Sequence, residues 1–218
     1  HDELRRQRQM CIRDRLLLGS TGRTGKIVLE IALKKGYQVN CLARNTERIK
    51  KRKGLTIFQG NPTNENDLKK AIYKCDFVIS VLNISRKTDF PWSSLKTPST
   101  FLSDAMNIVV RISKNENIKR ISICSAWGVA ETKNDIPKWF KWLINRSNIG
   151  IAYNGHEKQE EIISKSKLNW TIVRPVGLSN SKKEEKIIET FNNKPKPNML
   201  ISRKSLAKYL LQSLTNNS

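Results

Sequence analysis

The sequence predicts a doubly wound α/β domain, with a parallel sheet and helices on both faces. Three observations carry this. Apolar runs of strand length alternate with segments of helical period. A glycine turn, Gly19-Ser20-Thr21-Gly22-Arg23-Thr24-Gly25, separates the first run from the first helical segment. The 218 residues, 38% of them hydrophobic, suffice for one sizeable core and contain no internal repeat or low-complexity linker. One domain is expected from about Leu16 to Thr215.

The elements follow in order. Leu16 to Leu18 form the first strand, and a helix runs from about Thr24 to Lys35, stopped by Gly36. Tyr37 to Ala43 and Leu55 to Gln59 read as the second and third strands. Asn64 caps a helix reaching about Lys74. Asp76 to Leu82 is the fourth strand, and a loop containing Pro91 and Pro98 follows. A helix is expected from Ser99 or Thr100 to about Lys114, and a fifth strand from Arg120 to Cys124. Two short helices are placed at Pro137 to Asn145 and Gly155 to Ser166, with Pro137 suited to a first turn. Trp170 to Val173 is the sixth strand, ended by Pro175. Met199 to Ser202 is a short last strand, and Ser202 or Arg203 opens a terminal helix through Leu214.

Residues 1–15 (HDELRRQRQMCIRDR) have no apolar period. They read as a foreign adaptor or fusion scar, or as an ordinary basic, disordered tail. A central parallel strand normally holds about five apolar residues. The first strand is therefore short, unless Ile12-Arg13-Asp14-Arg15 supplies its start.

Net charge is +22, from 41 Lys and Arg against 19 Asp and Glu. That raises polyanion or anionic-membrane binding. The bases are spread along the chain, however, and the densest run, Lys50-Lys51-Arg52-Lys53, reads as a solvated turn. Neither nucleic acid nor a membrane is the expected partner. No run of 18 apolar residues is present, so no membrane-spanning helix is expected. The four cysteines, Cys11, Cys41, Cys75 and Cys124, form no C-x-x-C pair. No metal site or disulfide framework is expected, and a reducing cytoplasm fits.

The glycine turn carries the chemistry. Its spacing, G-x-x-G-x-x-G between strand and helix, suits a dinucleotide: one glycine makes the tight turn, one admits the pyrophosphate, and one lets the helix pack near the sheet. Backbone N–H groups at the helix start then meet the phosphates. An acid after the second strand would bind the ribose of NAD, whereas arginine suits the 2′-phosphate of NADP. Arg44 stands there, with Arg48 one turn on, and no acid lies between Tyr37 and Thr46. Arg23 adds a third positive group. NADP(H) is favoured; the alternative is that these are surface arginines in a basic chain.

The turn Gly19–Gly25 and the segment Leu42-Ala43-Arg44-Asn45-Thr46-Glu47-Arg48 resemble the NmrA-like, atypical branch of the short-chain dehydrogenase/reductase superfamily. Biliverdin-IXβ/flavin reductases are similar. The resemblance extends through Val78 to Leu82, Arg86, Ser125, Trp170 to Pro175 and Ile201 to Leu214. It implies a Rossmann-type domain and NAD(P)H as cofactor, with Leu82 against it. It implies that Ser125 faces the nicotinamide, and that Arg86 touches an anionic substrate such as a flavin phosphate or propionate. The residue reading leaves Ser125 the option of merely ending a strand.

Ligands of such sheets bind beyond the carboxyl ends of the strands. Trp92, Trp127, Trp139 and Trp142 fall in or beside the loops there. Trp127 is a candidate substrate wall; Trp139, Phe140 and Trp142 are either site walls or the packing of a lid helix. Tyrosine-dependent members of the superfamily use Tyr-x-x-x-Lys. Here Tyr153 is followed at that spacing by Glu157, with Lys158 rotated about 100° around the helix, so a catalytic tyrosine is not expected. His156 is a candidate proton donor, or a helix-packing residue. The pocket histidine of the relatives is absent, since Pro175-Val176-Gly177 stands in its place.

The expected function is an NADPH-dependent oxidoreductase. It would pass hydride to a small flavin-, quinone- or carbonyl-like acceptor, with Ser125 and His156 as catalytic candidates. The alternative is a non-catalytic NADP(H)-binding redox sensor of NmrA type with a protein partner.

Overall fold

The computed structural model describes residues 14–215. Six parallel strands form the main sheet in the order β3-β2-β1-β4-β5-β6. They are β1 Asp14–Leu18, β2 Val39–Ala43, β3 Leu55–Gln59, β4 Cys75–Ser80, β5 Arg120–Cys124 and β6 Trp170–Val173. This is the doubly wound Rossmann order, which reverses between β1 and β4. The helices are α1 Arg23–Lys34, α2 Glu65–Ile72, α3 Phe101–Asn115, α4 Lys138–Arg146, α5 Ile149–Ser164 and α6 Arg203–Gln212.

The alternation within β1 sorts the core into two layers. Leu16 and Leu18 face α2, α3 and α5, packing among Leu68, Met106 and Ile163. Leu17 faces the other way, toward α1 and α6, among Val28, Leu206 and Leu210. Strand side chains alternate between faces, so three consecutive leucines serve both layers. Caps fix the helix starts where sequence placed them. The Asn64 side chain accepts from Asp67 N at 3.1 Å, and the Ser202 hydroxyl accepts from Ser205 N at 3.1 Å.

Four features differ from expectation. First, β1 begins at Asp14, two residues before the apolar run. Arg15 is buried, with its guanidinium carbon 3.4 Å from the centroid of the Tyr37 ring, a cation–π contact that lets a charged residue enter the sheet. Residues 1–13 of the expected tail lie outside the described residues.

Second, α5 starts at Ile149 rather than Gly155. Gly155 is not a helix boundary but a close-packing point: a Cβ there would stand 2.7 Å from Ile84 Cδ1. Third, a three-residue strand, β7 (Gly177–Ser179), was not foreseen. It pairs in parallel with β8 (Leu200–Ser202), forming a second small sheet beside the main one. The expected last strand is therefore present but does not join the main sheet. Fourth, the long loop after β4 is a small hairpin. Arg86 bridges Leu95, Lys87 N donates to Ser94 O at 2.9 Å, and Lys96 N donates to Ser85 O at 2.8 Å.

Candidate functional site

A cleft of about 750 Å³ opens above the carboxyl ends of β1, β4 and β5. At one end stands the glycine turn. Gly19 has φ +86°, and a Cβ on it would lie 2.8 Å from Val81 O. A Cβ on Gly25 would lie 2.1 Å from Gly19 O, so this helix can touch the turn only as glycine. Gly22 caps α1 without a side chain, and no acid sits in the first turn. The first N–H groups of α1 therefore lack intrahelical acceptors and carry the positive end of the helix dipole.

Most of the sequence candidates gather here. Gly19, Thr21, Gly22, Arg23, Thr24 and Gly25 line the cleft, as do Arg44, Leu82 and Arg86. Ser125, Trp127 and His156 line its other end. Two candidates do not join them. Ser20 is buried behind the turn, and Arg48 is exposed away from the cleft. Arg44 is exposed, with its guanidinium carbon 5.5 Å from the centroid of Phe101. Arg23 forms a two-pronged exposed ion pair with Asp89 of the hairpin, at 3.0 and 3.1 Å.

Sequence reasoning missed Arg203. It opens α6, far along the chain, yet lines the same cleft. Its Nη1 donates to Leu178 O at 3.1 Å and Asn180 Oδ1 at 2.6 Å. Burial and the neighbouring Arg23 charge both hold its pKa below the usual arginine value. Two guanidinium groups thus stand beside the turn, with the Asp89 carboxylate paired to Arg23. No motif marks Arg203; only the fold brings it there.

Ser125 ends β5. Its N–H donates to Val173 O at 2.8 Å, but its buried hydroxyl has no hydrogen-bond partner. The buried Nε of Arg86 also lacks one. Buried polar atoms are almost always paired, so two orphans on residues lining one cleft fit a ligand that supplies the partners.

His156 projects from α5 and is 5% exposed. Gln159 sets its tautomer. The amide nitrogen donates to Cys124 O at 3.3 Å, which fixes the amide's orientation, and its other hydrogen reaches His156 Nδ1 at 2.7 Å. Nδ1 therefore accepts, and the ring proton sits on Nε2. Burial pushes the imidazole pKa down to about 4. The ring is neutral at pH 7, so it offers a hydrogen bond from Nε2 and holds no second proton to give up.

A pH dependence follows. The unfolded ring takes a proton near 6.5, the folded ring only near 4. Stability is therefore lost as pH falls from about 6.5 to about 4, by about 3 kcal/mol in all. Denaturation of wild type and His156→Leu at pH 7 and pH 4 checks this. The wild type should lose more on acidification; equal losses would mean that the folded ring protonates freely.

Tyr153 also lines the cleft, and its hydroxyl donates to Trp127 O at 3.2 Å. Burial pushes its pKa up to about 12. Glu157, which stands where the lysine of a Tyr-x-x-x-Lys pair would be, is paired with Lys133 at 2.6 Å. Desolvation thus supplies the reason this phenol is no base. Burial likewise pushes the Cys124 thiol up to about 12, which removes thiolate chemistry from the cleft.

The sequence profile of the NAD(P)H-binding family matches residues 19–217. The chain belongs to that family. This NAD(P)H-binding chain is 26% identical, over 208 residues, to the photosystem II assembly factor Ycf39 of Trieres chinensis, covering 91% of this chain and 59% of that protein. It is 31% identical, over 115 residues, to the isoflavone reductase homolog A622 of Nicotiana tabacum, covering 48% and 32%. The chain spans between 24% and 59% of the length of such curated relatives. These relatives fit the atypical short-chain dehydrogenase/reductase branch. Among solved structures, a short-chain dehydrogenase/reductase from Veillonella parvula in complex with NADP superposes with TM-score 0.76 at 18% identity, covering 94% of this chain and 88% of that one. An anaerobilin reductase, ChuY, from Escherichia coli O157:H7 gives 0.72 at 17%, covering 94% and 92%. Likeness at this identity establishes the fold. Among the described residues, no helix of the NAD(P)H-binding chain is long and apolar enough to cross a membrane.

Proposed function

We propose that the chain is an NADPH-dependent reductase that passes hydride to a small flavin-, quinone- or carbonyl-like acceptor. One observation carries this reading: the buried, unpartnered Ser125 hydroxyl shares a single cleft with the glycine turn. The nicotinamide supplies the hydride when bound. The chain's own residues do the rest. The first turn of α1 and the Arg23–Arg203 pair hold phosphates. Arg44 takes the 2′-phosphate, where a guanidinium fork matches the oxygens. Ser125 and the neutral His156 donate hydrogen bonds that polarise the acceptor, and water supplies its proton. Trp127 and Arg86 border the acceptor.

Oxidation of NADPH against FMN, FAD, a quinone and simple carbonyls tests the reading, using protein first shown to bind NADPH. Turnover with one acceptor is expected; none with any of them would overturn it. Arg44→Ala should weaken NADPH about tenfold or more and leave NADH within about twofold, read by calorimetric titration. Equal loss of both would remove Arg44 from the 2′-phosphate.

A second reading, a non-catalytic NADP(H)-binding regulator with a protein partner, is favoured by one finding. The Ycf39 assembly factor matches 91% of this chain. It fits the absence of a Tyr-x-x-x-Lys pair and the high pKa of Tyr153. Tight NADPH binding without turnover, together with a saturable protein partner, would select it.

A further inference from the structure

Beside the mouth of the cleft lies a surface that the proposed chemistry does not use. The helix α4 turns Phe140, Leu143 and Ile144 inward and presents Trp139 and Trp142 outward, 63% and 58% exposed. Lys138, Lys141 and Arg146 flank the two indoles, and α4 contains no acid. The hairpin tip after β4 adds Phe90 and Trp92, 61% and 46% exposed, with ring centroids 5.3 Å apart. Tip and helix are fastened together. Trp92 Nε1 donates to Arg146 O at 2.7 Å, and Asn148 Nδ2 donates to Trp92 O at 3.0 Å. The one acid at the tip, Asp89, is already engaged by Arg23.

We infer that this face docks on an anionic lipid surface. Indoles and long basic side chains on the outer arc of an amphipathic helix suit the headgroup boundary, where rings enter the acyl edge and ammonium groups reach the phosphates. Charge complementarity favours this occupant over a second copy, which would set two +22 chains face to face through like-charged helices. Single-stranded nucleic acid needs rings along a basic groove; these rings stand on a helix and a hairpin tip. The sequence expectation of no membrane partner rested on the spread of basic residues along the chain; the fold sets Lys138, Lys141 and Arg146 beside exposed indoles on one helix. Trp139 also lines the cleft, so the docking face and the cleft mouth share an edge.

Flotation with vesicles of equal parts phosphatidylglycerol and phosphatidylcholine tests the inference. Wild type should float with them and stay behind with pure phosphatidylcholine. The variant Trp142→Ser/Lys141→Glu should lose binding by about tenfold or more. Brominated lipid should quench wild-type tryptophan emission more than that of the variant. The control, Lys51→Glu/Lys53→Glu, carries a larger charge change on an exposed loop away from α4, and it should retain most of the binding. Melting temperature and NADPH affinity confirm that each variant is folded. Failure of the wild type to float overturns the inference. So does equal loss in the control, which would mean diffuse attraction by the whole chain. Loss of a self-associated species, or of oligonucleotide binding, in the Trp142 variant without any vesicle binding would assign the face to those partners instead.

Discussion

Gly25→Ala is expected to weaken NADPH binding by about 100-fold, the largest binding effect of any single methyl group in this chain. The added carbon would meet a backbone oxygen, Gly19 O, at 2.1 Å. Backbone cannot rotate aside as a side chain can, so α1 and the turn must separate. That separation moves the N–H groups of the first turn away from the phosphates they would hold. Calorimetric titration reads the loss, and circular dichroism shows whether the domain is still folded. Affinity within a fewfold of wild type in a folded variant would mean that the turn is not the phosphate cradle.

Ser125→Ala should lower turnover by about 100-fold while leaving NADPH affinity within about twofold. A hydrogen bond made chiefly in the transition state affects rate rather than binding. The structure adds a second expectation. The hydroxyl is buried without a partner, so its removal should not lower the melting temperature and can raise it slightly. A structural serine would behave the opposite way, with a lower melting temperature and an unchanged rate. The two measurements together separate the roles.

Much of this fold is legible in the chain because its signals are local. Leu16 to Leu18 before Gly19, Asn64 before its helix, and Ser202 before α6 each mark a boundary with neighbouring residues alone. The glycine turn is legible for the same reason: its three glycines answer to steric demands within seven residues. What the sequence hides depends on distant partners. β7 is three residues long, too short to show a period, and forms only because β8 lies alongside it. Gly155 looks like a helix end until Ile84 is seen against it. Arg15 looks too polar for a strand until Tyr37 stacks on it.

The site divides along the same line. The glycine turn was legible as a cleft element, whereas Arg203, which lines the same cleft, was not. Arg44 lines the cleft and Arg48 does not, because the chain after β2 runs on as bend and turn rather than as the helix that would set the two on one face. At the other end, the state of His156 depends on Gln159 one helical turn on and on burial by the whole α5 packing. Its position was readable, while its tautomer and neutrality were not. Tyr153 was dismissed as a base on account of Glu157; the structure supplies desolvation as the reason instead.

The most direct test of the account is a single turnover. Protein loaded with one equivalent of NADPH is mixed with each acceptor, and the absorbance of reduced nicotinamide is followed. Rapid loss of that absorbance is expected with one acceptor class in wild type, slow loss in Ser125→Ala, and little protein-bound signal to lose in Gly25→Ala. Bound NADPH that persists unchanged with every acceptor would contradict the reductase reading, and would make the cleft a sensor of the cofactor rather than a place where it reacts.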